Sequence, residues 1–174
     1  MDLRYPIGPF TWEGKASEEE RRRFIGQIEE TPARARAAVE GLSAGQLDTP
    51  YRPGGWTVRQ VVHHLPDSHL NGYVRFRLAL TEEAPAIKPY DEKRWAALSD
   101  AQTAPVDVSL ELLESLHRRW VLLLRSLGPA EFARTFRHPE TGVQNLDKYL
   151  GLYAWHGRHH VAHITSLRER MGWK

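Results

Sequence analysis

At 174 residues the chain has the length of one ordinary domain, and 41% hydrophobic with 26% charged residues excludes wholesale disorder. With no cysteine there is no disulfide, thiolate nucleophile, iron–sulfur cluster or Cys-based zinc finger. Twenty-four basic residues face twenty-two acidic ones, a formal charge of +2. The densest basic run, Arg21-Arg22-Arg23, follows Glu18-Glu19-Glu20, so it reads as a charge-paired, solvated helix face rather than a nucleic-acid stripe. Met1 to Phe10 carries no apolar run of the signal-peptide kind. The longest such run, Trp120-Val121-Leu122-Leu123-Leu124, is far short of the roughly 20 residues that span a bilayer. The expectation is a soluble, cytoplasmic protein that engages neither membrane nor nucleic acid.

The chain reads as helical almost throughout. Ser17 with Glu20 forms a capping box that opens a helix carrying Phe24, Ile25 and Ile28 on one side. Thr31-Pro32 predicts a restart, an N-cap with proline at N1, and a second segment to about Leu42. Thr57 with Gln60 is another capping box after Gly54-Gly55, opening a long helix to about Glu82 that Pro66 should kink or break. From Glu83 to Asp107 three prolines surround a short helical piece near Asp91 to Leu98, which suits a crossover between bundle helices. Leucine-rich periodicity returns from Ser109 to Leu127 and stops at Gly128-Pro129. The last helix begins near Leu146 or Asp147 and ends at Met171, with Gly172 as its C-cap. No alternating stretch is long enough for a sheet. The whole, residues 1–174, reads as one all-α domain: a four-helix bundle with one long crossover connection.

Of the nine histidines, seven fall in two short segments. On the last helix the apolar stripe Tyr149, Leu150, Tyr153, Ile164, Leu167 and Met171 contains His156 and His160, one turn apart, while His159 is displaced and His163 lies nearer the edge. Two imidazoles at that spacing can hold one metal ion; otherwise each needs a buried hydrogen-bond partner. On the earlier helix His64 shares a narrow stripe with Ser68, Asn71 and Arg75, whereas His63 aligns with Asp67, Leu70 and Val74. Either His63 or His64 could complete a three-histidine site, and periodicity does not choose. Three neutral imidazoles suit zinc, with nickel, iron or copper chemically compatible, and an open fourth position favours a catalytic over a structural ion.

Competing motifs carry less. Gly41-Leu42-Ser43-Ala44-Gly45 matches the G-x-S-x-G string of serine hydrolases, but it lies between helical segments and lacks the strand-to-helix elbow. Ser43 is better read as a helix N-cap or turn residue. Glu114 and His117 form one Glu-x-x-His without the second copy a di-iron bundle needs, so they read as an exposed Glu beside a helix-edge His.

Two strings carry a family likeness: Gly54-Gly55-Trp56-Thr57-Val58-Arg59-Gln60-Val61-Val62-His63-His64-Leu65, and Tyr153-Ala154-Trp155-His156-Gly157-Arg158-His159-His160-Val161-Ala162-His163-Ile164. Tyr5-Pro6-Ile7-Gly8, Leu47 to Arg52, Pro89 to Lys93 and Arg170 to Trp173 agree as well. With them the chain resembles the DinB-like superfamily over essentially its whole length, and most closely its YfiT-type metal-dependent hydrolases. The resemblance implies a four-helix bundle in a cytoplasmic homodimer, with one divalent metal per chain, usually zinc, on three histidines. The ligands it implies are His64, the histidine directly before Leu65, together with His156 and His160. Pro66 departs from the helix former expected there, which keeps His63 as the fallback. The implied activity is hydrolysis of a small-molecule substrate by metal-activated water, with Asp67 a candidate base from proximity in sequence alone. Related superfamily members conjugate low-molecular-weight thiols such as bacillithiol to electrophiles, which makes S-transfer at the same metal the alternative. A non-catalytic helical binding module with a structural metal is the third reading.

Overall fold

A computed structural model describes residues 2–173; Met1 and Lys174, the ends of the expected 1–174 domain, lie outside the described residues. Its elements are α1 (Glu18–Val39), α2 (Ala44–Leu47), α3 (Val58–Thr81), α4 (Glu92–Ala96), α5 (Ser99–Thr103), α6 (Val106–Arg125), α7 (Pro129–Phe132), β1 (Thr135–His138), β2 (Gly142–Asn145) and α8 (Leu146–Met171). The capping boxes form as read: Ser17 with Glu20 starts α1, and Thr57 with Gln60 starts α3. Ser43 caps α2 in the same way, which disposes of the serine-hydrolase string. Gly172 ends α8 in the left-handed conformation at φ 65°, where glycine carries no Cβ penalty.

The four long helices form the bundle. Helix α1 packs on α8 and α6, and α3 packs on α6 and α8, so α1 lies diagonally from α3 and α6 from α8. The crossover between α3 and α6 carries α4 and α5. Neither internal proline breaks its helix. Helix α1 does not restart at Thr31-Pro32 but runs unbroken through Pro32, and α3 likewise continues through Pro66. Proline at position 32 removes the N–H that would bond the Ile28 carbonyl; that carbonyl is met instead by His117 Nδ1 of α6 at 2.6 Å. A tertiary partner thus replaces the lost helical bond, and the helix has no reason to end.

A short antiparallel hairpin, with Thr135 opposite Asn145 and His138 opposite Gly142, joins α7 to α8. It escapes a reading based on alternation because each strand has only four residues. The basic run also divides differently from expectation. Arg22 and Arg23 pair with Glu18 and Glu20 on an exposed face, but Arg21 is buried and grips Asp147 at 2.6 and 2.7 Å. This bidentate pair ties the start of α1 to the first turn of α8, where a carboxylate also suits the helix dipole.

Two close approaches set the bundle's spacing at its centre. Gly72 of α3 lies under the Tyr153 ring of α8, and Gly157 of α8 lies against Thr31 of α1, each leaving no room for a Cβ. The Tyr153 hydroxyl donates to the Ser68 carbonyl at 3.1 Å, fastening α8 to α3 beside the histidines. Replacing Gly72 by alanine should therefore push α3 from α8 and lower the unfolding free energy by about 1–3 kcal/mol, measured by urea denaturation. An unchanged midpoint would show that this contact does not set the spacing.

Candidate metal centre

Helices α3 and α8 bring His64, His156 and His160 together, each offering one ring nitrogen within 4.8 Å of the others. The Nε2 atoms of His64 and His156 stand 3.3 Å apart. Two ligands held about 2.0–2.1 Å from a tetrahedral cation lie roughly 3.3–3.4 Å from each other, so this spacing fits a shared ion. The donor chemistry fits as well. Burial pushes the His64 imidazole down to about 4, with a further contribution from His159 and His163, and holds His156 and His160 well below their ordinary value. All three rings are neutral at pH 7, the form that ligates. The His64 ring lies beside Trp56, 4.8 Å between centroids.

His63 points the other way. Its Nδ1 meets Ser109 Oγ at 2.7 Å and its Nε2 the Ala104 carbonyl at 3.2 Å, so both nitrogens are taken up by the α5–α6 side. Asp67 is absent from the lining of the cavity around the three histidines; its carboxyl is pushed up to about 6 by burial and by Asp100. His117 corrects another expectation. It is 1% exposed rather than at a helix edge, with Nδ1 on the Ile28 carbonyl and Nε2 2.8 Å from His69 Nδ1. His69 Nε2 in turn lies 3.1 Å from His156 Nδ1. His159 and His163 are also buried, because Tyr5 and Tyr51 pack over them. A second trio, His159, His160 and His163, is close enough to hold an ion, but all its members come from one helix.

The centre opens into a cavity of about 670 Å³ whose walls include Arg4, Arg52, Trp56, Glu92, Lys93 and Trp155. Glu92 is the one carboxylate on those walls among the described residues. It sits on α4 of the crossover, too far from any histidine in sequence for periodicity to link them. A second cavity, of about 710 Å³, also reaches His156 and is lined by Ser68, Arg75, Tyr90 and His138.

The family model described as the DinB superfamily matches residues 27–164. A "putative metal-dependent hydrolase" of Bacillus mycoides is 60% identical over 172 residues, covering 99% of each chain. One of Bacillus cereus is 59% identical over the same span and share. Among solved structures, YfiT from Bacillus subtilis, described as a probable metal-dependent hydrolase with an unusual four-helix bundle topology, aligns over 100% of both chains with a TM-score of 0.97 and 54% identity. TT2238, a four-helix bundle protein, matches with a TM-score of 0.56 and 22% identity over 81% of this chain and 94% of its own, a likeness of fold. No helix among the described residues is long and apolar enough to cross a membrane.

The buried rings fix the sign of the pH dependence. Burial pushes His117 down to about 4, against a smaller upward pull from the Ile28 carbonyl. Its folded value lies below the ordinary 6.5, so the unfolded chain takes up a proton that the folded ring refuses. Above about pH 6.5 this ring imposes no cost; stability then falls as pH drops from 6.5 toward 4 and levels off below. Asp67, raised from 3.8 to about 6, works in the opposite direction, but it is one carboxyl against several imidazoles. Urea denaturation of metal-free protein should show an unfolding free energy that declines steadily between pH 6.5 and 4.5. A flat or rising profile would contradict burial of these rings in the neutral form.

Proposed function

The chain belongs to the DinB superfamily, and from that membership and the geometry above we propose that it is a zinc-dependent hydrolase of small molecules with His64, His156 and His160 as ligands. The observation that carries the reading is the convergence of nitrogens from two helices at a spacing suited to one cation, beside an open cavity. The names of its close relatives support the metal dependence and the hydrolytic class. Three neutral imidazoles without a thiolate favour zinc.

A cation held there would supply Lewis-acid polarisation of a carbonyl or phosphoryl group and would lower the pKa of water at its open position toward about 7. The remaining work falls to the chain. His64 and His156 present their nitrogens from two neighbouring helices, and burial keeps their rings unprotonated. Glu92, on the cavity wall, is the group suited to accept a proton as water attacks. Arg4, Arg52 and Lys93 supply positive charge around the mouth, and Trp56 and Trp155 supply flat apolar surface for a substrate's body. A site with room for substrate argues against a purely structural ion, which would be closed by a fourth protein ligand.

Elemental analysis of purified protein should give about one divalent metal per chain, lost in His64→Ala and His156→Ala and kept in His63→Ala. Glu92→Gln should retain the metal while lowering kcat roughly 100-fold on whichever ester, amide or phosphoester of a substrate panel the wild type cleaves. Metal retained by His64→Ala would overturn the ligand set. Conjugation of a low-molecular-weight thiol to an electrophile, with no hydrolytic turnover, would replace hydrolysis by S-transfer at the same ion.

A further inference from the structure

The bundle interior holds more histidine than three ligands need, and the extra rings are joined in two lines that both start on a backbone carbonyl. We propose that His117 with His69, and separately His163, are positioning residues that fix which nitrogen of His156 and His160 carries the proton, leaving Nε2 bare on both. This rests on reading the trio as a cation site.

The first line begins where α1 is interrupted chemically but not geometrically. Pro32 has no N–H, so the Ile28 carbonyl lacks its helical donor and takes one from His117 Nδ1 at 2.6 Å. A carbonyl can only accept, so His117 must carry its proton on Nδ1. In a neutral ring Nε2 is then bare, and it accepts from His69 Nδ1–H at 2.8 Å. That leaves His69 Nε2 bare to accept from His156 Nδ1–H at 3.1 Å. Each step forces the next, and the line ends with His156 Nε2 unprotonated, 3.3 Å from His64 Nε2.

The second line is shorter. The Arg4 carbonyl accepts from His163 Nε2–H at 3.1 Å, so His163 Nδ1 is bare and accepts from His160 Nδ1–H at 3.3 Å. His160 Nε2 is left without a proton. Both ligands on α8 thus receive their tautomer from a backbone carbonyl outside α8: one from α1 by way of His117 on α6 and His69 on α3, the other from the N-terminal segment. Such outer partners set ring orientation and raise ligand basicity.

His64 has no line of this kind. Its Nε2 faces the bare Nε2 of His156 at 3.3 Å, and two bare nitrogens would repel at that distance, so without a cation it donates there, sharing that acceptor with Ser68 Oγ at 3.4 Å. Cation binding moves its proton to Nδ1. One ring of the three therefore changes tautomer on binding, and two do not.

Long-range proton–nitrogen correlation spectra of protein carrying nitrogen-15 histidine read every tautomer directly. The metal-free wild type at pH 7.5 should show Nδ1–H at His117, His69, His156 and His160, and Nε2–H at His163 and His64. Zinc should convert only His64. His69→Leu should weaken zinc binding, followed by competition with a chelating dye, about 10–100-fold. His69→Gln, whose amide oxygen can accept from His156 Nδ1–H, should restore most of the loss. The wild-type spectrum needs no variant to fold. A proton on His156 Nε2 or His160 Nε2 in that spectrum, or zinc affinity unchanged in His69→Leu, would overturn the proposal. Tautomers as stated in a protein that binds no zinc would uphold the two lines and overturn the cation reading. Zinc bound with His156 protonated on Nε2 would do the reverse.

Discussion

The constraint on which the rest of this fold depends is the packing of neutral imidazoles from α3 and α8 within 4.8 Å of one another inside a helical bundle. Charged rings would repel one another there, and isolated polar rings would weaken the core. The bundle meets both conditions together. Burial holds the imidazoles unprotonated, and the outward nitrogens of His156 and His160 are met by His69 and His163, whose lines end on the Ile28 and Arg4 carbonyls.

The elements around the centre follow from that constraint. Gly72 and Gly157 let α8 approach α3 and α1 closely, and the Tyr153 hydroxyl fastens α8 to α3 one turn from His64. The buried Arg21–Asp147 pair fixes the start of α8 against α1. Its cost in desolvation is offset by bidentate geometry, and it contributes register more than net stability. The segment before α1, through Arg4 and Tyr5, and Tyr51 from the α2–α3 connection cover this face of α8, which is why His159 and His163 are as buried as the core residues. The crossover does a different job: α4 carries Glu92 and Lys93 to the cavity wall, so the longest connection in the chain supplies polar groups that the bundle helices do not.

Much of this was legible in the sequence, and what was not has a physical cause. Capping boxes at Ser17 and Thr57 and the glycine at 172 mark helix ends because they act locally, within one turn. The i,i+4 spacing of His156 and His160 likewise predicts a shared face, and the structure gathers their nitrogens with one of His64. Pro32 misleads because its effect depends on a residue 85 positions away, His117, replacing the missing donor. The same tertiary bond makes His117 a core residue rather than an edge one. Arg21 cannot be told from Arg22 and Arg23 by composition; only the position of Asp147 separates them. Glu92 is invisible to periodicity because it reaches the cavity from a connecting helix. The choice between His63 and His64, open on periodicity, becomes geometric once Ser109 of α6 and the Ala104 carbonyl at the end of α5 are seen to occupy both nitrogens of His63.

The most direct measurement is the anomalous difference map of a crystal of this protein soaked in zinc, collected on both sides of the zinc absorption edge. One peak should appear between α3 and α8, about 2.1 Å from a ring nitrogen of each of His64, His156 and His160. A peak among His159, His160 and His163 instead, or no peak in a crystal where the rings keep their positions, would contradict the account at its centre.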